Sequence, residues 1–209
     1  MIARVPRPPE IVLASQNAGK LAEMRALLAG RPWRVLGLAE LDVPEAPDET
    51  GATFRDNAVL KARYYAARTG RLVVADDSGL CVDALGGAPG VLSSRFGGEG
   101  LDDAGRNALL LEKLRGVPGA ERTARFTCAL ALVRDERVLF EALESCEGRV
   151  AAAPSGERGF GYDPVFFHPE YGTTLASVSL EEKARVSHRG KAFRRLVEFL
   201  DRADAGSLA

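Results

Sequence analysis

Residues 11–30 read IVLASQNAGKLAEMRALLAG, and this stretch decides the fold class. Ile11 to Ser15 is a short apolar run of the length of a buried strand. Leu21, Met24, Leu27 and Leu28 follow at helical spacing, and Gly30 supplies a stop. The chain therefore opens as strand, polar turn, helix. The turn is Ser15, Gln16, Asn17, Ala18, Gly19 and Lys20. A turn that opens onto a helix N-terminus presents backbone N–H groups and the positive end of the helix dipole, which suits phosphate. Ser15 and Asn17 add short hydrogen-bonding side chains, Gly19 removes bulk and Lys20 adds a point charge. An ordinary capped turn uses the same residue types, so both readings stand at this point. A P-loop is excluded, because Ala14 and Leu21 occupy the positions that need glycine and a hydroxyl residue.

Outward from this opening, strands and helices continue to interleave. A strand is expected over Trp33–Leu38, then an acidic, proline-containing loop over Leu41–Gly51. Thr53 starts a helix that runs to about Arg68 and stops at Gly70, with Asp56 in the place of the usual capping-box Glu. Leu72–Ala75 is a buried strand running straight into DDSG. Gly86–Gly100 is a glycine-rich ordered loop, and 102–115 is helical. Two extended stretches, 123–133 and 138–147, flank the charged turn Arg134–Arg137 and predict a hairpin. Ser179 and Glu182 have capping-box spacing, and Phe193, Leu196, Val197 and Leu200 share one face of the last helix. This order predicts an α/β protein with a long mixed sheet, in a single two-lobed domain spanning 1–209. Residues 1–10 are expected to be a short leader, since they lack the apolar core of a signal peptide.

Composition narrows the function classes. Of 209 residues, 46% are hydrophobic and 27% charged, which is globular. The net charge of -1 gives no whole-chain attraction to duplex nucleic acid or to an anionic membrane. No apolar run reaches the ~18 residues of a membrane span. Cys81, Cys128 and Cys146 form no CxxC pair, which argues against a zinc ribbon or redox motif and for reduced, mostly buried thiols in a cytosolic protein.

Four further clusters carry chemistry. Asp76 and Asp77 follow an apolar strand, and strand ends are where α/β enzymes place their sites. Adjacent acids repel unless a cation offsets them, and Mg²⁺ with phosphate oxygens is the natural cation. A turn in which one Asp caps a backbone N–H would also use this pair. Asp48 and Glu49 precede a helix with Asn57 and Lys61 one turn apart, which alone reads as a solvated face. In GFGYDP, Gly159 to Pro164, glycines allow close approach, Phe160 or Tyr162 can stack on a base, and Asp163 can accept from its edge. A glycine-aromatic core turn is the alternative. In EEKARVSHRGK, Lys183, His188, Arg189 and Lys191 gather at a helix junction, the alternative being a basic solvated helix end.

SQNAGK, DETGATFRDNAVLKA, ADDSGL with VDALGGAPGVLSSRF, GFGYDPVF and EEKARVSHRGKA, in this order, resemble the inosine triphosphate pyrophosphatase family, also called XTP/dITP diphosphatases. The resemblance runs from Ile11 to about Leu200. It implies an elongated α/β fold with a long mixed sheet between two lobes and the nucleotide in the cleft, usually as a homodimer. It implies hydrolysis of ITP, dITP and XTP to the monophosphate and pyrophosphate, with Mg²⁺, in the cytoplasm. It assigns the triphosphate to Ser15, Gln16, Asn17, Ala18, Gly19 and Lys20. Asp77 becomes the catalytic base and a magnesium ligand, with Ser78 touching substrate. Phe160, Gly161, Tyr162, Asp163, Lys183, His188 and Arg189 go to the nucleotide. Glu49 becomes the second metal carboxylate, preceded here by Asp48 where Glu is commoner. Two rivals stand beside this: a pyrophosphatase for dTTP or UTP, against which GFGYD and SHR argue, and a nucleotide-sensing module without turnover, against which Asp76, Asp77 and Lys20 argue.

Overall fold

Ile11, Val12 and Leu13 are completely buried, and the strand they form, β1 (Glu10–Leu13), has parallel neighbours on both sides. A strand buried on both faces reads as an unbroken apolar run, which is how it stood in the sequence. The neighbours are β2 (Arg34–Gly37) and β3 (Leu72–Val82). The computed structural model describes residues 8–43, 47–98 and 100–203. Most of the expected leader, and residues 44–46 of the acidic loop, lie outside them.

The seven strands of the sheet run in the order β2-β1-β3-β4-β5-β6-β7. The others are β4 (Thr123–Arg134), β5 (Arg137–Val150), β6 (Phe166–His168) and β7 (Thr173–Thr174). β4 and β5 form the expected hairpin, and Asp135 in its two-residue turn takes a positive φ of 54°. β5–β6 and β6–β7 are antiparallel, so the sheet is mixed, as the sequence predicts. The helices are α1 (Ala18–Leu27), α2 (Phe54–Thr69), α3 (Asp103–Lys113), α4 (Leu180–Val186) and α5 (His188–Arg202).

One expectation needs correction. β3 does not stop at Ala75 but continues through Asp76, Asp77, Ser78 and Gly79 to Val82. Asp, Ser and Gly are poor strand formers, so local propensity places the end too early. Pairing within the sheet overrides it, with Leu80 and Val82 fully buried in the continuation. The adjacent acids thus lie in mid-strand, where the pleat sends consecutive side chains to opposite faces.

The residues group into two compact units. One is built on the segments up to Asp76, Ala129–Ala142 and from Ala192 onward; its core packs Ala58, Ala62, Tyr65 and Ala66 of α2 on Val73, Ala75, Ala129, Ala131 and Val133. Alanines on the helix face let α2 lie close to the sheet. The other holds Asp77–Cys128 and Leu143–Lys191, and its core joins Leu110 and Leu114 of α3 to Phe126, Tyr162, Val165 and Phe166. Phe193, Leu196, Val197 and Leu200 of α5 are buried, as their spacing requires.

Candidate functional site

The turn between β1 and α1 is built from its own side chains. Asn17 is the N-cap: its Oδ1 accepts from the N–H groups of Gly19 (2.8 Å) and Lys20 (3.1 Å). The Asn17 N–H donates to Ser15 Oγ at 3.1 Å. The capped-turn alternative is therefore realised, and an anion at this turn would share those two donors with Asn17. Ser15, Gln16, Asn17 and Ala18 line one side of a cavity of about 560 Å³ that runs on to Gly37–Leu41. Lys20 Nζ reaches both carboxylate oxygens of Asp76, at 2.9 and 2.7 Å. The Asp76 side chain is fully buried in this pair. Sequence reasoning placed Lys20 and Asp76 in separate motifs and missed the bond between them.

In the same unit, Glu49 meets Lys61 at 2.6 Å. Asn57 is 1% exposed and Lys61 9%, so this helix side is not the solvated face expected from the motif alone. Asn57 Oδ1 accepts from the Gly51 N–H at 2.7 Å, which ties the acidic loop to α2. Glu49 is half-buried at this anchor, whereas Asp48 is exposed. Asp77 follows Asp76 along β3 with 7% exposure, and Ser78 is half-buried.

The other unit assembles the GFGYD and SHR motifs. Phe160 is 37% exposed, with Lys183 Nζ 4.7 Å and Arg189 Cζ 5.3 Å from its ring centroid. Asp163, itself 2% exposed, accepts on Oδ2 from the Phe160 N–H at 2.9 Å and from Lys183 Nζ at 2.5 Å. That geometry explains Gly159: a Cβ there would lie 2.1 Å from Asp163 Oδ2. Tyr162 belongs to the core, at 5% exposure, with its hydroxyl donating to the Ser93 carbonyl at 2.9 Å. Burial pushes its phenol up to about 12. Of the two aromatics, Phe160 is thus the exposed one, and Tyr162 is held in the core.

His188 and Arg189 are 5% and 4% exposed, which replaces the basic solvated end with a buried one. The His188 ring stacks on Phe126 at 4.9 Å and an interplanar angle of 17°. Ser187 Oγ accepts from the Gly190 N–H, and Lys191 Nζ donates to the Ser145 carbonyl at 2.8 Å. Sequence reasoning also missed two side chains on α3: Asp103 accepts from the Gly161 N–H at 2.7 Å, and Asn107 donates to the Gly161 carbonyl at 3.0 Å. Burial raises the Asp103 carboxyl, but Arg106 and the Gly161 N–H outweigh this and hold it below its ordinary value.

Among the described residues no three His, Cys, Asp or Glu side chains gather into a ready-made metal centre. Carboxylate oxygen of the kind Asp77 carries is a donor that hard cations such as Mg²⁺ accept, together with substrate phosphate.

A relative from Geobacillus kaustophilus called dITP/XTP pyrophosphatase is 54% identical over 191 residues, 90% of this chain and 93% of that one. One of the same name from Thermus thermophilus is 51% identical over 193 residues, covering 92% of each. The solved structure of a HAM1 protein from Coxiella burnetii superposes with a TM-score of 0.86 at 43% identity, covering 93% of this chain and all of that one. The Ham1 family itself matches residues 11–199, and the chain belongs to it.

Proposed function

We propose that this protein hydrolyses aberrant purine nucleoside triphosphates, ITP, dITP and XTP, to the monophosphate and pyrophosphate. The observation that carries this reading is the 54% identity, over 90% of the chain, to a protein called dITP/XTP pyrophosphatase. Two local arrangements support it: a capped turn with Lys20 at a helix N-terminus, suited to phosphate, and an exposed Phe160 ring beside Lys183 and Arg189, suited to a base.

The reaction needs water to form a bond to the α-phosphorus while the bond from that phosphorus to the pyrophosphate oxygen breaks. Asp77 orients the water and takes its proton. Lys20 and the turn at Ser15–Gly19 offset the charge that builds on the phosphate oxygens. Asp77 and Glu49 are the carboxylates that would hold Mg²⁺, which when bound supplies further positive charge to the triphosphate. The whole chain acts as one cytoplasmic catalytic domain, in a homodimer.

Base selection rests on hydrogen-bond donors. ITP and XTP carry a 6-keto group where ATP carries a 6-amino group. Arg189, held beside the Phe160 ring, donates to a keto oxygen; facing an amino group its donor is left unpaired, at a cost of roughly 1–3 kcal/mol. GTP shares the 6-keto group, so a second donor near C2 is needed to reject its amino group. The test is kcat/KM for ITP, dITP, XTP, GTP, ATP and dTTP in wild type and Arg189→Ala. The expected result is preference for the first three, with a larger proportional loss on ITP than on ATP in the variant. Preference for dTTP, or no turnover of any, overturns the function; equal proportional losses remove Arg189 from base reading.

A further inference from the structure

Gly161 sits at the centre of the loop that carries Phe160 and Asp163, and both of its backbone groups are bound by one helix. Asp103 Oδ2 accepts its N–H at 2.7 Å, and Asn107 Nδ2 donates to its carbonyl at 3.0 Å. Asp103 and Asn107 are four residues apart on α3, so they stand one above the other on the same helix face. The other Asp103 oxygen is held by Arg106 at 2.6 Å, which fixes the carboxylate's orientation. Asn107 is 4% exposed. Its amide must present nitrogen to the Gly161 carbonyl, because two oxygens would repel. Its Oδ1 is buried with no hydrogen-bond partner among the described residues.

We propose that Asp103 and Asn107 are positioning residues: together they clamp the Gly161 peptide and so hold the Phe160 ring in a base-accepting orientation before substrate arrives. This rests on the reading of the Phe160 loop as the base site. The clamp removes the freedom of the glycine that follows the aromatic, and a loop ordered in advance loses less entropy on binding. It also commits Gly161's N–H to α3, so the base is read by the side chains around Phe160 and not by that donor.

The experiment compares wild type with Asn107→Leu, Asp103→Ala, Asp103→Asn and Phe160→Ala. For each, KM and kcat with ITP, the inhibition constant of IMP, the inhibition constant of inorganic tripolyphosphate and the melting temperature are measured. Asn107→Leu and Asp103→Ala should each raise KM for ITP and the inhibition constant of IMP roughly 3- to 10-fold, the size of one net hydrogen bond. Their kcat and tripolyphosphate inhibition should stay within about twofold. Asp103→Asn, whose amide oxygen still accepts from Gly161, should remain near wild type. Asn107→Leu should lose no more than the few degrees of melting temperature that one hydrogen bond carries, and Asp103→Asn should melt as wild type, which separates the clamp from a general structural role. Unchanged KM and IMP inhibition in the clamp variants, with Phe160→Ala raising both, overturns the inference and leaves the base site standing. A loss confined to kcat, or matched by tripolyphosphate, also overturns it. No effect of Phe160→Ala removes the base-site reading itself.

Discussion

Asp76 and Asp77 show how much a single backbone step decides. As neighbours in β3 they are sent to opposite faces of the strand. Asp76 is consumed by Lys20 on its own face. Asp77, 7% exposed, is the acid proposed above for proton transfer. Replacing Asp77 with Asn keeps its shape and removes the base. The expected result is a loss in kcat of at least ~10²-fold, the lower end for general-base catalysis. Steady-state kinetics of the folded variant checks this, and near-normal turnover would show that another acid does the work. Glu49→Gln should instead shift the Mg²⁺ titration to higher concentration, since it removes one carboxylate proposed to hold the ion; an unmoved titration takes Glu49 out of the metal site.

At the scale of elements, the α4–α5 junction is closely packed at Gly190. A Cβ on Gly190 would lie 1.9 Å from the carbonyl oxygen of Ala184, a backbone atom that cannot swing away. Gly190→Ala must therefore push α5 from α4 and displace His188 and Arg189 with it. A destabilisation of about 1–3 kcal/mol is expected, as for overpacking, and a melting temperature lower by several degrees. Gly119→Ala is the control, because nothing lies within 4 Å of the position its methyl group would take and its φ is unstrained. Equal melting of both variants would contradict the close packing. Some of these elements were legible in the sequence. The Ser179–Glu182 capping box forms with both of its bonds, and Thr53 caps α2 through the Asp56 N–H while its hydroxyl donates to the Asp56 carboxylate at 2.7 Å. Caps are local, so local spacing reveals them. The end of β3 was not legible, because it depends on strands far away in sequence. Nor was the clamp on Gly161, whose partners lie 58 and 54 residues away. The burial of Asn57 and Lys61 belongs to the same class: polar spacing on a helix says nothing of an acidic loop that folds back onto it.

At the scale of the whole molecule, the titration of the core and the reaction itself bear on function and stability together. Burial raises the Tyr162 phenol from 10.0 to about 12, which means that the folded state favours the protonated form. Its contribution to stability is fully present below the unfolded value of 10.0 and is lost as pH rises through about 12. Tyr162→Phe also loses the bond to the Ser93 carbonyl, worth about 1 kcal/mol at neutral pH. The stability difference between wild type and Tyr162→Phe, measured by denaturant unfolding, should therefore shrink between pH 10 and 12, and a difference that stays constant over that window would contradict the burial assigned to Tyr162.

Attack of water on the α-phosphorus is the step on which the proposed activity turns, and isotope labelling reaches it most directly. ITP is turned over once in water enriched in oxygen-18 with Mg²⁺ present, and the products are separated and weighed. The expected products are IMP and pyrophosphate, with the label in the IMP phosphate and none in the pyrophosphate. Label in the pyrophosphate would place the attack on the β-phosphorus, and IDP with labelled orthophosphate would place it on the γ-phosphorus; either result contradicts attack at the α-position.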